Sequence, residues 1–442
     1  MEESNNKSLV YLFTNEPDFS SIHINKGDHV VIKPNLVKEH KENDPNEWRS
    51  VITDPQLIRK VCFYVCQQLE GSDGRVTICD APQTDSSFQK ISELLDLYGI
   101  AEEASNEYNI PVEILDLRDE EWISEEGIIV NRKKIDGDPL GSIAFNLGED
   151  SLFYGYKGEG KYYGADYNSK VVNQHHHGDK QEYLICATPI YADVFINMPK
   201  LKTHKKTGVT IGLKNLVGIN ADKNWLPHHT YGNPKNNGDE FPTVSFLNLI
   251  ERMAVKFARK LTIVIPYFGT LIAKRLRKMG NTVFGDGHNT IRSGNWHGND
   301  TTWRMVLDLN RCLLYGEKDG SINPQKLKRY YVIVDGDIGM EGSGPMQGDP
   351  INIGYTIVGD NPVAVDAVGA SLMGFDWKKI KLISNAFSIP SLPITKVLPK
   401  DVYIICPDLN KEFSLEDFDY SLSKKLKPHY GWKGHIEKSF SE

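Results

Sequence analysis

The nineteen residues from Lys200 to Gly218 carry Lys200, Lys202, His204, Lys205, Lys206 and Lys214, and no acidic residue. The whole chain of 442 residues has a formal charge of -8, so this stretch reverses the local sign. Ammonium and imidazole groups at this density suit phosphate or carboxylate oxygens, through charge-assisted hydrogen bonds. Crowding and burial also lower a lysine pKa, which makes the amine a proton acceptor near neutral pH. His204 and Lys202 are therefore candidate acid–base groups. A solvated turn is the plain alternative. Such turns usually mix signs, however, and this one precedes Gly208, Gly212 and Gly218, which allow close backbone approach.

The segment DVFINMPKLKTHKKTGVTIGLKNLVG, residues 193 to 218, reads as a strand (Asp193–Met198), a tight basic turn and a glycine-punctuated helix. The start of that helix would add outward-pointing amides and a favourable dipole for an anion. Within it, Lys200, Thr203, Lys214 and Asn215 are candidate binding residues. Lys33 and Asn35 join them, because they follow the short apolar strand His29–Ile32 directly. His228, from the pair His228-His229, and Arg304 are the candidates from later loops. Adjacent histidines rarely share one metal, so neither His175-His176-His177 nor His228-His229 is a zinc motif by spacing. Arg304 and Asp308 stand i,i+4 and on a helix would pair with each other.

Acidic candidates lie further on. Asp335 stands at the carboxyl end of a strand, where open α/β sheets usually bind ligands, and is also a candidate for catalysis. Asp337 and Glu341 follow it among five glycines in IVDGDIGMEGSGPMQGDP, residues 333 to 350. As a loop, this stretch would offer carboxylates to Mg²⁺ and amides to a phosphate. Asp366 lies near the start of a helix that Asp360 or Asn361 caps and Pro362 opens. Asp335, Glu341 and Asp366 are thus the candidate Mg²⁺ ligands. No Walker A sequence and no GxGxxG opening a helix is present.

The elements that must position these groups alternate. Strands are expected at His29–Ile32, Val76–Cys79 and Val112–Leu115, with helices from Asp54-Pro55 through Leu69 and over Phe88–Leu97. Later strands are expected at Leu184–Ala187, Val194–Asn197, Tyr331–Val334, Tyr355–Val358 and Tyr403–Ile405, with helices from near Pro362 and Trp377. This pattern predicts an α/β fold with a mainly parallel sheet flanked by helices. Its limits read as one composite domain over 23–407, with halves 23–120 and 184–407 and a C-terminal extension, 408–442. Residues 155 to 181 and 220 to 243 read as long functional loops.

Residues 245 to 285 read as a basic amphipathic helical insertion. In its centre, 251–279, the apolar run Leu261–Ala273 is flanked by eight lysines and arginines. Thirteen residues are too few to span a bilayer, which needs about 20. A peripheral anchor on an anionic inner leaflet and a core helix pair both fit this pattern.

Composition narrows the classes. At 40% hydrophobic, the chain can fill a large core, and its acidic balance argues against nucleic-acid binding. The cysteines, at 62, 66, 79, 186, 312 and 406, lack ferredoxin spacing, so an iron–sulfur cluster is not expected. They read as reduced, buried thiols of a cytoplasmic protein, and MEESNNKS is neither a signal nor a transit peptide.

Six blocks in order resemble the domain-of-unknown-function family numbered 362: VVIKPNLV, the basic segment 193–218, NWLPHH, NDTTWRMVLDLN, VDGDIGMEGSGP and GDNPVAVDAVGASLMGFD. The block NDTTWRMVLDLN resembles members associated with bacterial surface-polysaccharide gene clusters. Some members carry a four-iron ferredoxin segment, which this chain lacks. The expectation is an enzyme acting on a phosphorylated or carboxylated metabolite, such as a nucleotide-linked or lipid-linked sugar in bacterial surface-polysaccharide biosynthesis. The competing classes are a membrane-bound scaffold for an anionic glycan precursor and, more weakly, an iron–sulfur electron carrier.

Overall fold

A computed structural model describes residues 7–125, 128–164, 169–243, 291–326 and 328–439. The expected insertion 245–285, with the segment 251–279, lies outside the described residues. The fold is α/β, as the alternation predicts. Its main sheet contains β1 (Ser8–Phe13), β2 (His29–Pro34), β3 (Arg75–Asp80), β4 (Val112–Asp116), β5 (Val194–Met198), β6 (Lys200–His204), β7 (Gly208–Thr210), β8 (Arg329–Glu341), β9 (Asp349–Gly359), β10 (Val402–Cys406) and β11 (Lys411–Ser414). The order is β11-β10-β1-β9-β8-β5-β2-β3-β4. Strands β8, β5, β2, β3 and β4 run parallel, and β9 pairs antiparallel with both β8 and β1. The sheet thus passes both limits of the 23–407 span, through β1 and β11.

Both faces of the parallel strands are apolar, as a sheet covered on two sides requires. Val30, Ile32, Val194 and Ile196 enter one core with α1 (Pro55–Leu69), while Val31, Phe195, Val332 and Val334 enter the other with α5 (Thr302–Tyr315) and α6 (Pro362–Leu372). Asp54 caps α1 by accepting from Gln56 N at 2.8 Å, with Pro55 in the first turn. The helix expected over Phe88–Leu97 is two, α2 (Phe88–Leu95) and α3 (Leu97–Tyr108), because Asp96 turns left-handed at φ 51°.

Three expectations are corrected. The glycine-rich stretch after Asp335 is not a loop up to Glu341 but the second half of β8, paired with β9 through Glu341↔Asp349 across a register shift. A Cβ on Gly339 would stand 2.6 Å from Leu201 O, so this glycine serves strand packing. The strand near Leu184–Ala187, observed as Lys180–Cys186, sits in a separate three-stranded sheet. The two long loops contain pairing strands of their own, since Pro227–Thr230 joins Tyr162–Gly164 in an antiparallel ribbon.

Candidate functional site

The basic turn expected after β5 is itself a strand. Strand β5 ends at Met198, Pro199 interrupts it, and β6 continues along β8, with Lys200 opposite Asp335 and Lys202 opposite Met340. Strand β2 ends beside Met198. Strand β6 therefore carries its cations past the carboxyl ends of the parallel strands. The hairpin returns through β7, with Gly208 at φ 83°. The ring of Trp432 lies 3.2 Å from where a Cβ would stand on Gly208, and Trp432 Nε1 donates to Lys205 O at 2.9 Å. The C-terminal extension thus packs on the basic hairpin.

Lys33, Lys200 and Lys202 are all fully buried, which lysines rarely tolerate without a partner. Lys33 has Asp80 at 2.7 Å, and Lys200 has Asp335 at 2.7 Å. Lys202 has no carboxylate partner among the described residues. It donates to Asn35 Oδ1 at 3.1 Å and to Val51 O at 2.6 Å, both neutral. Burial, with the ammonium groups of Lys200 and Lys214, holds Lys202 well below the usual lysine range. An amide chain supports it: Asn35 Nδ2 donates to Asn215 Oδ1 at 2.8 Å, Asn215 Nδ2 donates to Asn197 Oδ1 at 2.7 Å, and Asn197 Nδ2 donates to Gly212 O and Tyr330 OH.

Around this buried row lie half-buried cations. The Lys214 ammonium makes no hydrogen bond or ion pair among the described residues. Burial, and then the ammonium groups of Lys223, Lys33 and Lys205, bring it down to about 7. Lys206 donates to His228 O at 3.3 Å and is also held to about 7, by burial first and by Lys205 next. Lys205 is exposed. His204 accepts from Lys206 N and Thr207 N, at 3.1 and 3.2 Å, through Nδ1. Burial and the nearby Lys214, Lys205 and His228 hold His204 well below its usual range. Two amines near neutrality suit both anion binding and proton transfer, and a neutral imidazole whose Nδ1 is already occupied suits a hydrogen bond to the anion.

Other candidates are placed differently. The helix expected to present its start to an anion is a single turn, α4 (Gly212–Asn215). Its first amides already face a carboxylate of this chain, since Leu213 N donates to Asp366 at 3.3 Å. Burial pushes the Asp366 carboxyl well above the usual range. Glu341 binds Lys427, accepting from its backbone N at 2.9 Å and its Nζ at 3.0 Å. Asp335 also accepts from Asp54 N at 2.7 Å. The three carboxylates proposed for Mg²⁺ therefore hold three different partners. Among the described residues no group of three acidic, histidine or cysteine side chains is placed to share a metal. Thr203 Oγ1 donates to Gly342 O at 3.0 Å and fastens β6 to the end of β8. Arg304 pairs with Asp300, not Asp308, and stacks on Tyr156 and Trp303; Asp308 instead pairs with Arg311. The six cysteines are buried, free thiols.

The matched region spans this arrangement except for the C-terminal residues that carry Lys427 and Trp432. A family model described as "Domain of unknown function (DUF362)" matches residues 30–136 and 127–371. The chain belongs to the DUF362 family. No curated protein and no solved structure matches it. In this DUF362 protein the matched residues include the buried lysine row, α4 and the His228 ribbon. The strap that carries Trp432 and Lys427 follows them in the chain.

Asp80 and Asn197 have no place among the sequence candidates, and Lys206 enters only as a member of the basic cluster. Asp80 had a usable signal, since it ends a strand at the same sheet edge as Lys33. Asn197 had none, because an asparagine inside an apolar strand reads as any buried polar residue. No helix among the described residues is long and apolar enough to cross a membrane.

Proposed function

We propose that this protein is an enzyme that binds a phosphorylated small molecule over the row Lys202, His204, Lys206 and Lys214 and transfers a proton there. One observation carries the reading: among the described residues Lys202, Lys206 and Lys214 crowd together without an ion-pair partner, Asp239 and Glu240 only partly offsetting Lys206, while Lys33 and Lys200 each have one. Crowded, desolvated amines lose their protons or gain a counter-anion. A ligand with several negative charges restores their protons and is held by them. A single carboxylate offsets one charge only, so a phosphoryl group is the better match. The likeness of NDTTWRMVLDLN to polysaccharide-cluster members makes sugar phosphates the first class to try as substrates.

The test is calorimetry with inorganic pyrophosphate and with acetate. Pyrophosphate should bind and acetate should not. Lys214→Ala should weaken pyrophosphate about tenfold or more, the worth of one charge-assisted contact, while melting no lower than wild type at pH 7.5 without ligand. Equal affinity in wild type and variant would refute the anion site.

A further inference from the structure

Backbone groups hold the two histidines of this site in opposite tautomers. A backbone N–H can only donate, so Lys206 N and Thr207 N require a lone pair at His204 Nδ1, and the Thr207 hydroxyl, 3.0 Å from Nδ1 and 2.9 Å from Val209 O, can turn its proton to either. The ring is neutral, so its proton sits on Nε2. A carbonyl can only accept, so Leu226 O, 3.0 Å from His228 Nδ1, requires the proton on Nδ1. His228 is neutral as well, which leaves a bare lone pair at its Nε2. Neither Nε2 has a hydrogen-bond partner among the described residues. Lys206 joins the two, with its backbone N on His204 and its Nζ on His228 O.

We propose that His228 is the proton acceptor of this site, through Nε2, and that His204 acts beside it as a neutral Nε2–H donor to a ligand oxygen. The assignment rests on the anion-binding reading and divides the work within it. His204, the sequence candidate for acid–base chemistry, is unsuited to that role. Its basic nitrogen is occupied by two amides and the Thr207 hydroxyl, and the N–H of a neutral imidazole is a very weak acid. It fits instead the role of a neutral electrophile that polarises a bound oxygen. His228 is held in place by three donors to its carbonyl: Thr302 Oγ1 at 2.6 Å, Asn299 Nδ2 at 3.2 Å and Lys206 Nζ.

The charges facing His228 are Lys206, Lys214 and Lys223, and His204 lies nearby. All three lysines disfavour a proton on His228. A bound phosphoryl group offsets them, so the base gains strength only when substrate is present. In the step, an X–H bond of the substrate breaks and Nε2–H forms on His228. The electron pair stays on the substrate, where His204 Nε2–H and the lysines stabilise it.

The test is nitrogen NMR of ¹⁵N-histidine protein at pH 7.5, with His204 and His228 assigned by His→Gln variants, or His→Asn where folding fails. Without ligand, His204 should carry its proton on Nε2 and His228 on Nδ1. With saturating inorganic pyrophosphate, the midpoint of His228 protonation should rise by about one pH unit or more while His204 stays neutral. An Nε2–H tautomer at His228, or a proton gained by His204 instead, would overturn the assignment. The tautomers are read without ligand, so absent pyrophosphate binding would refute the anion site separately.

Discussion

Asn35 Oδ1 accepts a hydrogen bond from Lys202 Nζ at 3.1 Å, while Asn35 Nδ2 donates to Asn215 Oδ1 at 2.8 Å. One amide thus links the buried lysine of β6 to α4. Its orientation follows from its partners: the Lys202 amine presents an N–H to Asn35 Oδ1, which leaves Asn35 Nδ2 to donate to Asn215. Asn35→Ala leaves Lys202 and Asn215 each short of a partner and should cost about 1–3 kcal/mol in chemical denaturation. Asn35→Asp places a carboxylate against Lys202. It should weaken pyrophosphate binding about tenfold or more, because the anion then meets a lysine already neutralised. Tighter binding in Asn35→Asp would contradict the charge argument.

Lys214 has a sign that can be checked by pH. Its folded value is about 7 against an ordinary 10.5. Between those values the unfolded chain holds a proton that the folded one lacks, so this group makes stability rise with pH. Below about 7 both states hold the proton and the penalty is complete; above 10.5 neither does. Lys214→Met should therefore melt higher than wild type at pH 7, by roughly 2–4 °C. The gap should close as pH approaches 10.5. A gap independent of pH would mean that the gain is packing alone.

Gly218 lies on the Lys33–Asp80 ion pair. A Cβ there would stand 2.0 Å from Asp80 Oδ1 and 2.8 Å from Lys33 Nζ. Gly218→Ala must part the pair or move the chain, and Ala81 N donates to Gly218 O at 2.8 Å. The expected loss is about 1–3 kcal/mol in urea unfolding, the scale of overpacking. A neutral result would show that this turn yields freely.

Trp432 is buried over Gly208 and donates to Lys205 O. Trp432→Ala should cost about 3–5 kcal/mol, as large aromatic truncations do. Amide hydrogen exchange should speed up in Lys205–Thr210 more than in α1. Uniform speeding across both would place the loss in global stability instead of in the hairpin.

Much of this protein is determined by the sequence alone. Alternation of apolar strands with capped helices was enough for an α/β sheet, since each strand of a sheet covered on two sides must be continuously apolar. The Asp54-Pro55 start of α1 is local chemistry and holds as expected. The sign reversal at 200–214 marks the cation cluster without any knowledge of the fold.

Tertiary structure decided which cations are neutralised. Asp80 and Asp335 reach Lys33 and Lys200 only because β3 and β8 lie beside β2 and β6, a register that the chain order hides. The basic turn became a strand because β8 runs on for thirteen residues and offers β6 an edge. A partner strand some 130 residues away outweighs the local turn signal. The helix start proposed for an anion received Asp366, from 153 residues on, because α6 packs against α4. The roles of His204 and His228 depend on which backbone group meets Nδ1, and only the folded chain sets that contact.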